Sequence, residues 1–249
     1  MVHLTSISCD PPADLNKDWA QDQTNVYVER IGELQARLFA EKKNAVLVVV
    51  QGMDGSGKDT AMNNVFSKCN IGGIEVHTYK KPTEEEFAHD FLWRIHKNVP
   101  EKGKIGIFVR SHYEDILIQR VHKWINEERV DSRIEAINAF EKLLVVDNAT
   151  TVLKFYLHIS KDEQKEQLTE RIEDPEKRWK HNDNDWKERE FWEDYMMAYE
   201  DMINRSEIEW TITPVDKRWY RDYIISKKIS ETLERLHPKF PDVKIEIRP

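Results

Sequence analysis

A short apolar run that ends in a glycine-rich loop is the feature that most constrains this sequence. Residues 45–50 are continuously apolar and rich in valine, which is typical of a strand buried on both faces of a parallel sheet. The glycines of the loop let backbone N–H groups turn toward an anion, and a lysine with P-loop spacing adds a positive charge. The stretch therefore predicts a phosphate-binding loop. Its predicted contacts are Gly52, Gly55, Gly57, Lys58 and Thr60.

Two carboxylates set this loop apart from most P-loops. Asp59 stands where a serine or threonine hydroxyl usually holds Mg²⁺, and Asp54 adds a second carboxylate inside the loop. Both would repel a phosphate unless a divalent cation lay between them. Asp54 and Asp59 are therefore predicted to bind a metal ion, Mg²⁺ with Mn²⁺ as the alternative. A glycine-rich turn without a ligand is the other interpretation, but the buried strand before the loop and the helical pattern after it favour phosphate binding.

Composition and charge limit the class of protein. A chain of 249 residues fits one large domain or two small ones, and one is favoured. The longest apolar run is six residues, far below the ~18 that span a bilayer, and the amino end lacks a signal-peptide core. We therefore expect a cytoplasmic protein without a membrane partner. The net charge of −8 argues against general nucleic-acid binding. The two cysteines are too few for a disulfide framework.

Strand and helix patterns alternate along the chain. This alternation predicts an α/β fold, with a doubly wound parallel sheet of about five strands flanked by helices. We expect an extended arm over residues 1–23, a single domain over 24–237 and a loosely held tail over 238–249. The predicted strands are residues 45–50, 74–79, 104–109, 151–159 and 210–215, and the predicted helices include residues 25–41, 60–69, 133–146 and 219–236.

Basic side chains follow two of the predicted strands. Lys80 and Lys81 come directly after the strand at 74–79, and Arg110 comes directly after the strand at 104–109. Because open α/β sheets bind ligands at the carboxyl ends of their strands, all three side chains are candidate phosphate ligands. For the two lysines, a solvated turn is the alternative.

Two further positions near these strand ends bear on the prediction. Arg94 lies on a helix that a capping box of Thr83 and Glu86 opens. It is a candidate phosphate ligand, with an ion pair to Asp90 as the alternative. Val109 occupies the strand end at which P-loop enzymes usually carry an aspartate that orders Mg²⁺. This departure shifts the predicted metal binding onto the carboxylates of the loop itself.

A segment rich in basic and aromatic residues surrounds Pro175. Residues 173–190 are predicted to form a helical lid that closes over phosphates, excludes water and brings in Arg178 and Lys180. A long helix is predicted to begin between residues 183 and 189. A solvated helix–loop–helix is the alternative interpretation of this segment.

Four separate motifs occur in a fixed order along the chain. They are Gly-Met-Asp-Gly-Ser-Gly-Lys-Asp at 52–59, His-Asp-Phe-Leu-Trp-Arg at 89–94, Gly-Lys-Ile-Gly-Ile-Phe-Val-Arg-Ser-His-Tyr-Glu at 103–114 and Lys-Arg-Trp-Lys at 177–180. Together they resemble the type-2 polyphosphate kinase family, over about residues 24–237. The resemblance implies a P-loop kinase-like core of the thymidylate-kinase type with a lid. It also implies Mg²⁺-dependent phosphoryl transfer between inorganic polyphosphate and a nucleoside mono- or diphosphate, by a homo-oligomer, either dimer or tetramer.

The resemblance further implies roles for individual residues. The loop's carboxylates and lysine would serve metal and phosphate, one arginine would contact phosphate beside the loop, and another would reach in from the lid. These predicted catalytic residues are Asp54, Lys58, Asp59, Arg110 and Arg178. The family usually has asparagine or aspartate where Val109 stands, and small residues such as alanine where Gly55 and Ser56 stand.

Three functions remain open from the sequence. The first is polyphosphate-dependent phosphorylation of nucleotides, and the second is an ATP-dependent nucleoside monophosphate kinase with the same core and lid. The third is a catalytically silent P-loop binding protein, which Val109 brings into consideration. The sequence does not fix the choice between mono- and diphosphates, the base, the net direction of transfer or the number of subunits.

Overall fold

A sheet of five parallel strands forms the centre of the protein in a computed structural model that describes residues 1–242. The strands are β1 (Ala45–Gln51), β2 (Ile74–Thr78), β3 (Ile105–Val109), β4 (Thr150–His158) and β5 (Trp210–Pro214). Their order in the sheet is β2-β3-β1-β4-β5, and every neighbouring pair is parallel. The predicted α/β fold with about five strands is confirmed.

Helices flank this sheet. They are α1 (Lys17–Glu41), α2 (Lys58–Val65), α3 (Glu84–Phe87), α4 (Trp93–His96), α5 (Ile118–Val121), α6 (Glu127–Asn148), α7 (Lys161–Glu173), α8 (Asp183–Glu188), α9 (Trp192–Arg205) and α10 (Arg218–Leu236). α1, α2 and α10 pack against one another, and α6 packs against β4. None of the helices within residues 1–242 combines the length and the apolar character that crossing a membrane requires.

β1 lies in the middle of the sheet, and all seven of its residues are buried. Val50 pairs with Val109 of β3 on one side and with Phe155 of β4 on the other. Because the strands are parallel, their carboxyl ends lie along one edge of the sheet. The segments that follow β1, β2 and β3 therefore leave the sheet on the same side.

The amino-terminal residues do not form an extended arm as far as residue 23. α1 begins at Lys17, because the side chain of Asn16 accepts a hydrogen bond from the first turn and caps the helix. Before it, a 3-10 helix spans Leu4–Ser6. Leu4 is buried in the core, and its N–H donates to the carboxylate of Glu200 on α9. The prediction of an arm was wrong for residues 17–23, and part of the preceding segment is packed.

Two other predicted helices are divided in the structure. The capping box at Thr83 is present, but α3 ends at Phe87. The side chain of Asp90 then accepts a hydrogen bond from the N–H of Leu92 at 3.0 Å, a local turn that competes with helix continuation. The predicted long helix of the lid consists of α8, a 3-10 turn at Arg189–Phe191 and α9. Of the predicted tail, residues 243–249 lie outside the described residues.

A charged network is buried between α6 and the sheet. Nζ of Lys154 on β4 donates to Glu141 Oε2 at 2.7 Å and to the Tyr113 hydroxyl at 2.8 Å. That hydroxyl donates to Glu141 Oε1 at 2.8 Å, and His112 Nε2 lies 3.3 Å from the same oxygen. All four side chains are buried. The network fixes the segment after β3 to the sheet, immediately beyond Arg110.

We expect Lys154→Met to lower the free energy of unfolding by about 3–5 kcal/mol, because it leaves the Glu141 carboxylate buried without its cation. The double substitution Lys154→Met/Glu141→Leu removes both charges and is expected to recover most of that loss. Urea unfolding followed by circular dichroism measures both variants. Lys142→Met, at an exposed position of α6, is the control. A Lys154→Met protein as stable as this control would contradict the argument.

Candidate active site

The loop after β1 follows a path that only glycine permits at two positions. Gly57 precedes α2 with φ of +79°, in the left-handed region that glycine adopts without strain. A Cβ at Gly57 would collide with the guanidinium of Arg221. A Cβ at Gly52 would lie 2.8 Å from the carbonyl oxygen of Leu157. This path places the free N–H groups at the start of α2 against the loop, where an anion binds favourably.

Lys58, the first residue of α2, folds back over this loop. Its Nζ donates to the carbonyl oxygens of Gly52 at 2.6 Å and Met53 at 3.1 Å. An ammonium group has three donors, so one is left for an anion. Burial lowers the pKa of Lys58, although the nearby Asp54 acts to raise it. The lysine therefore maintains the shape of the loop, and its contact with a phosphate stays a prediction.

Arg110 turns the chain where β3 ends. Its φ of +60° lies in the left-handed region, which costs a residue other than glycine of order 1–3 kcal/mol. Its N–H donates to the carbonyl of Val50 at 3.1 Å. Its guanidinium forms an ion pair with Oδ1 of Asp54. The strained turn thus directs Arg110 toward the P-loop.

Asp54 lies between two cations. Its Oδ1 pairs with Arg110 and lies 3.9 Å from Nζ of Lys58. Burial acts to raise the pKa of Asp54, but Lys58 and Arg110 together outweigh burial and leave this pKa below its ordinary value. Asp54 is therefore a carboxylate at neutral pH, available to a metal ion.

Glu114 brings a second carboxylate to the same place. It belongs to a 3-10 helix, His112–Ile116, that follows Arg110. The side-chain amide of Gln51 lies 3.0 Å from its Oε1. Burial raises the pKa of Glu114, while Arg110 acts to lower it. The segment after β3 thus supplies a carboxylate although its last strand residue, Val109, does not.

Two cavities of opposite charge flank the P-loop. The acidic cavity, of about 100 Å³, lies on the side of the loop that contains Asp54. Its charged lining consists of four carboxylates and one arginine: Asp54, Glu114, Asp185, Glu188 and Arg110. A larger groove of about 900 Å³ lies around Trp124 and Met197, but no P-loop residue lines it.

The basic cavity, of about 110 Å³, lies against Gly55, Ser56 and Gly57 on the other side of the loop. Two carboxylates of α7 also line it, and Arg218 Nη2 lies 3.1 Å from one of them, Glu170. Cations outnumber these carboxylates, so the cavity favours anions. The cationic side chains that line it are Arg171, Lys177, Lys180, Arg218 and Arg221.

The donor atoms near the loop fit a divalent cation. Mg²⁺ is typically held by one or two carboxylates together with water and substrate phosphates. Asp54 and Glu114 offer such hard oxygen donors in the acidic cavity. Within residues 1–242, no group of three or more His, Cys, Asp or Glu side chains has the arrangement to hold an ion alone. The site therefore fits a cation that a bound phosphate helps to coordinate.

Several predicted site residues meet at this edge of the sheet. The P-loop glycines, Asp54, Lys58 and Arg110 contact one another or line the two cavities. Thr60 and Lys180 line the basic cavity. Asp59 is exposed on the first turn of α2 and lines neither cavity. Its metal-binding role stays a prediction.

Other predicted residues lie farther away. Lys80 and Lys81 are exposed after β2. Arg94 is buried, and it forms ion pairs with Asp115 at 3.3 Å and with Glu86 at 3.8 Å instead of with Asp90. It also donates to the carbonyl oxygen of Lys80 at 2.8 Å. Arg94 therefore supports the backbone of the lysine pair, and phosphate binding by these three side chains stays a prediction.

Arg178 is exposed in the lid. Its Nε donates to the carbonyl oxygen of Ile172 at 2.9 Å, and its side chain lines neither cavity. Contact with a phosphate at the P-loop would require the lid to move. The catalytic role of Arg178 stays a prediction.

Glu114, Arg221 and Gln164 are among the residues of the site that were missed from the sequence. Glu114 follows the end of β3 closely, and that position was a usable signal. Arg221 occupies the same helical face as Ile225 and Ile229. A charged residue on this apolar face was the signal that could have identified it. Gln164 shares a helical face with Leu168 in the same way. A polar residue in an apolar stripe is a weak signal, however, because a satisfied core hydrogen bond produces the same pattern.

The comparisons with known proteins agree with this geometry. The model of the Polyphosphate kinase 2 family matches residues 14–241. An AMP/ADP-polyphosphate phosphotransferase from Meiothermus ruber is 43% identical over 90% of this chain and 85% of its own length. An ADP-polyphosphate phosphotransferase from Rhodopseudomonas palustris is 38% identical over 91% of this chain and 83% of its own. The crystal structure of polyphosphate kinase 2 from Arthrobacter aurescens superposes with a TM-score of 0.94 at 36% identity, covering 99% of this chain and 90% of that one. This chain therefore belongs to the polyphosphate kinase 2 family.

Proposed function

We propose that this protein transfers a phosphoryl group between inorganic polyphosphate and a nucleoside mono- or diphosphate, with Mg²⁺ or Mn²⁺. The observation that carries the proposal is the position of the P-loop between a basic and an acidic cavity. A polymer with a charge on every phosphate fits the basic cavity, where lysines and arginines outnumber carboxylates. The names of the related proteins support the same pair of substrates.

The phosphates of the nucleotide are assigned to the acidic cavity, whose volume of about 100 Å³ leaves the base and ribose at its margin. Four carboxylates would repel these phosphates, but a divalent cation held by Asp54 and Glu114 would offset part of that charge and present a positive centre to the phosphate oxygens. Arg110 adds a fixed positive charge in the same cavity. Asn182 and Asn184 of the lid offer amide groups to a base or ribose.

The chemistry follows from where the charges lie. Phosphoryl transfer asks a protein mainly for positioning and for cancellation of charge on the phosphate oxygens. Lys58 and Arg110, on either side of Asp54, would neutralise the transferring group. A bound divalent cation would add further charge neutralisation and align the phosphates. The attacking oxygen belongs to a nucleotide phosphate and is already ionised, so no strong general base is needed.

Three broader expectations accompany this proposal. We propose a cytoplasmic location and a homo-oligomer, dimer or tetramer, on the basis of the sequence and its family resemblance. We also propose that the lid over residues 173–190 closes on bound phosphates. Arg178 would approach the reacting groups only in such a closed state.

One assay tests the proposed function. Purified protein and Mg²⁺ are incubated with AMP, ADP or GDP and with either polyphosphate or ATP as donor, and the products are separated by chromatography. We expect product with polyphosphate. Product formed with ATP as donor but not with polyphosphate would indicate a conventional nucleoside monophosphate kinase. No turnover with any pair would indicate a silent binding protein.

We expect Asp54→Asn to reduce kcat on the order of 10²-fold, because it removes a charge that positions a cation and two basic side chains at the reacting phosphate. It should also raise the Mg²⁺ concentration needed for half-maximal rate. Asp59→Asn is expected to have a smaller effect, because that carboxylate is exposed to water outside both cavities. Steady-state rates over a Mg²⁺ titration compare the two. A larger defect in Asp59→Asn would instead assign the main metal contact to Asp59.

Lys180→Ala is expected to raise KM for polyphosphate by up to about fivefold, the range for a solvent-screened charge contact, and to leave KM for the nucleotide near the wild-type value. The reason is that Lys180 lines only the basic cavity. Initial rates at varied chain length and salt concentration measure the effect, which should weaken as salt rises. Lys187→Ala, an exposed lysine of the lid outside both cavities, is the matched control. Equal behaviour of the two variants would argue against polyphosphate in the basic cavity.

A further inference from the structure

Gln164 of α7 joins the P-loop to the lid. Its side chain is fully buried. Its Nε2 donates to the main-chain carbonyl oxygen of Asp54 at 2.9 Å, and its Oε1 accepts from Nη1 of Arg189 at 2.7 Å. Arg189 lies at the carboxyl end of the predicted lid. One side chain therefore contacts both the loop that holds the phosphate and the segment that covers it.

The partners fix the orientation of this amide. A guanidinium only donates hydrogen bonds and a carbonyl oxygen only accepts them. Gln164 must therefore turn its oxygen toward Arg189 and its NH₂ toward Asp54, and no other natural side chain of this length offers both groups. The side chain also packs against the loop, since a Cβ at Gly55 would lie 3.3 Å from its Cγ.

Arg189 sits where the lid meets α9. Its Nη1 also donates to the carbonyl oxygen of Lys161 at 2.6 Å, and its guanidinium lies 5.8 Å from the ring centre of Trp192. A lid movement that withdrew Arg189 would leave the buried oxygen of Gln164 without its partner, which is unfavourable. The orientation of the Gln164 amide therefore depends on the position of the lid.

We propose that Gln164 is a positioning residue that couples closure of the lid to the orientation of Asp54. This inference rests on the proposed phosphoryl transfer, in which Asp54 lies between Lys58 and Arg110. With Arg189 in place, Gln164 holds the turn after Asp54 and directs the carboxylate toward those cations. With Arg189 withdrawn, the turn loses that support. The P-loop is then fully assembled only when the lid covers bound substrates.

Three substitutions separate the two contacts. Gln164→Leu removes both hydrogen bonds at similar volume. Gln164→Glu keeps an acceptor for Arg189 but cannot donate to Asp54. Arg189→Met keeps the contact to Asp54 and removes the contact to the lid. Gln23→Leu, on α1, is the matched control because it makes the same chemical change away from both cavities.

We expect Gln164→Leu and Gln164→Glu to lower kcat about five- to tenfold, the net effect of the hydrogen bond to Asp54 that both variants lack. Both should need more Mg²⁺ for half-maximal rate, while KM for polyphosphate stays near the wild-type value. Arg189→Met should lower kcat less, and it should add little when combined with Gln164→Leu. Full kcat in both Gln164 variants, or strictly additive effects of Gln164→Leu and Arg189→Met, would overturn the coupling.

Amide hydrogen exchange gives a readout that does not depend on turnover. Exchange at residues 53–57 is expected to be faster in Gln164→Glu than in the Gln23→Leu control, at a temperature at which thermal unfolding shows both proteins to be fully folded. Unchanged exchange in Gln164→Glu and in Arg189→Met would contradict the coupling, even if the protein had no activity. If the wild-type protein were inactive but exchange were faster in the variants, the proposed reaction would be contradicted and the coupling would be supported.

Discussion

The pairing of β1 between β3 and β4 is the constraint on which the site depends. This register places Val50 beside Val109, so the P-loop and Arg110 leave the sheet next to each other. A slip of one residue would turn the side chains of β1 to the opposite face of the sheet. The ion pair between Arg110 and Asp54 exists because both strands end at the same level. The electrostatics of the site thus originate in the hydrogen bonding of a buried sheet.

Local signals in the sequence were sufficient for much of this arrangement. The valine-rich run predicted a central buried strand, and the glycine spacing predicted its loop, because both features depend only on neighbouring residues. Arg110 was predicted for the same reason, since it directly follows a strand. The presence of five strands also followed from apolar runs separated by helical patterns. In each of these parts of the fold and the site, the residues that determine the structure lie within a few positions of it in the sequence.

The remaining parts depend on contacts between distant residues. Gln164 and Arg221 look like ordinary helix positions until tertiary packing places them against the P-loop. The sequence predicted a metal site from two loop carboxylates, but it did not reveal that Asp59 is exposed on α2 or that Glu114 lies beside Asp54 in the acidic cavity. The prediction missed helix ends that a single capping side chain determines, such as the start of α1 at Asn16. In each case the deciding energy comes from a cap or a buried partner, which periodicity does not encode.

The placement of one loop between two separate cavities has a kinetic consequence for the proposed reaction. If donor and acceptor occupy the two cavities as proposed, both can be bound at the same time, and either one can arrive first. The phosphoryl group would then pass directly from one to the other, with inversion at phosphorus, and no side chain would have to carry it as a phosphoenzyme. A polymer that stays in the basic cavity after a transfer has its next terminal phosphate close to the same loop. Retention of the polymer between turnovers would let such an enzyme shorten or extend one chain without releasing it.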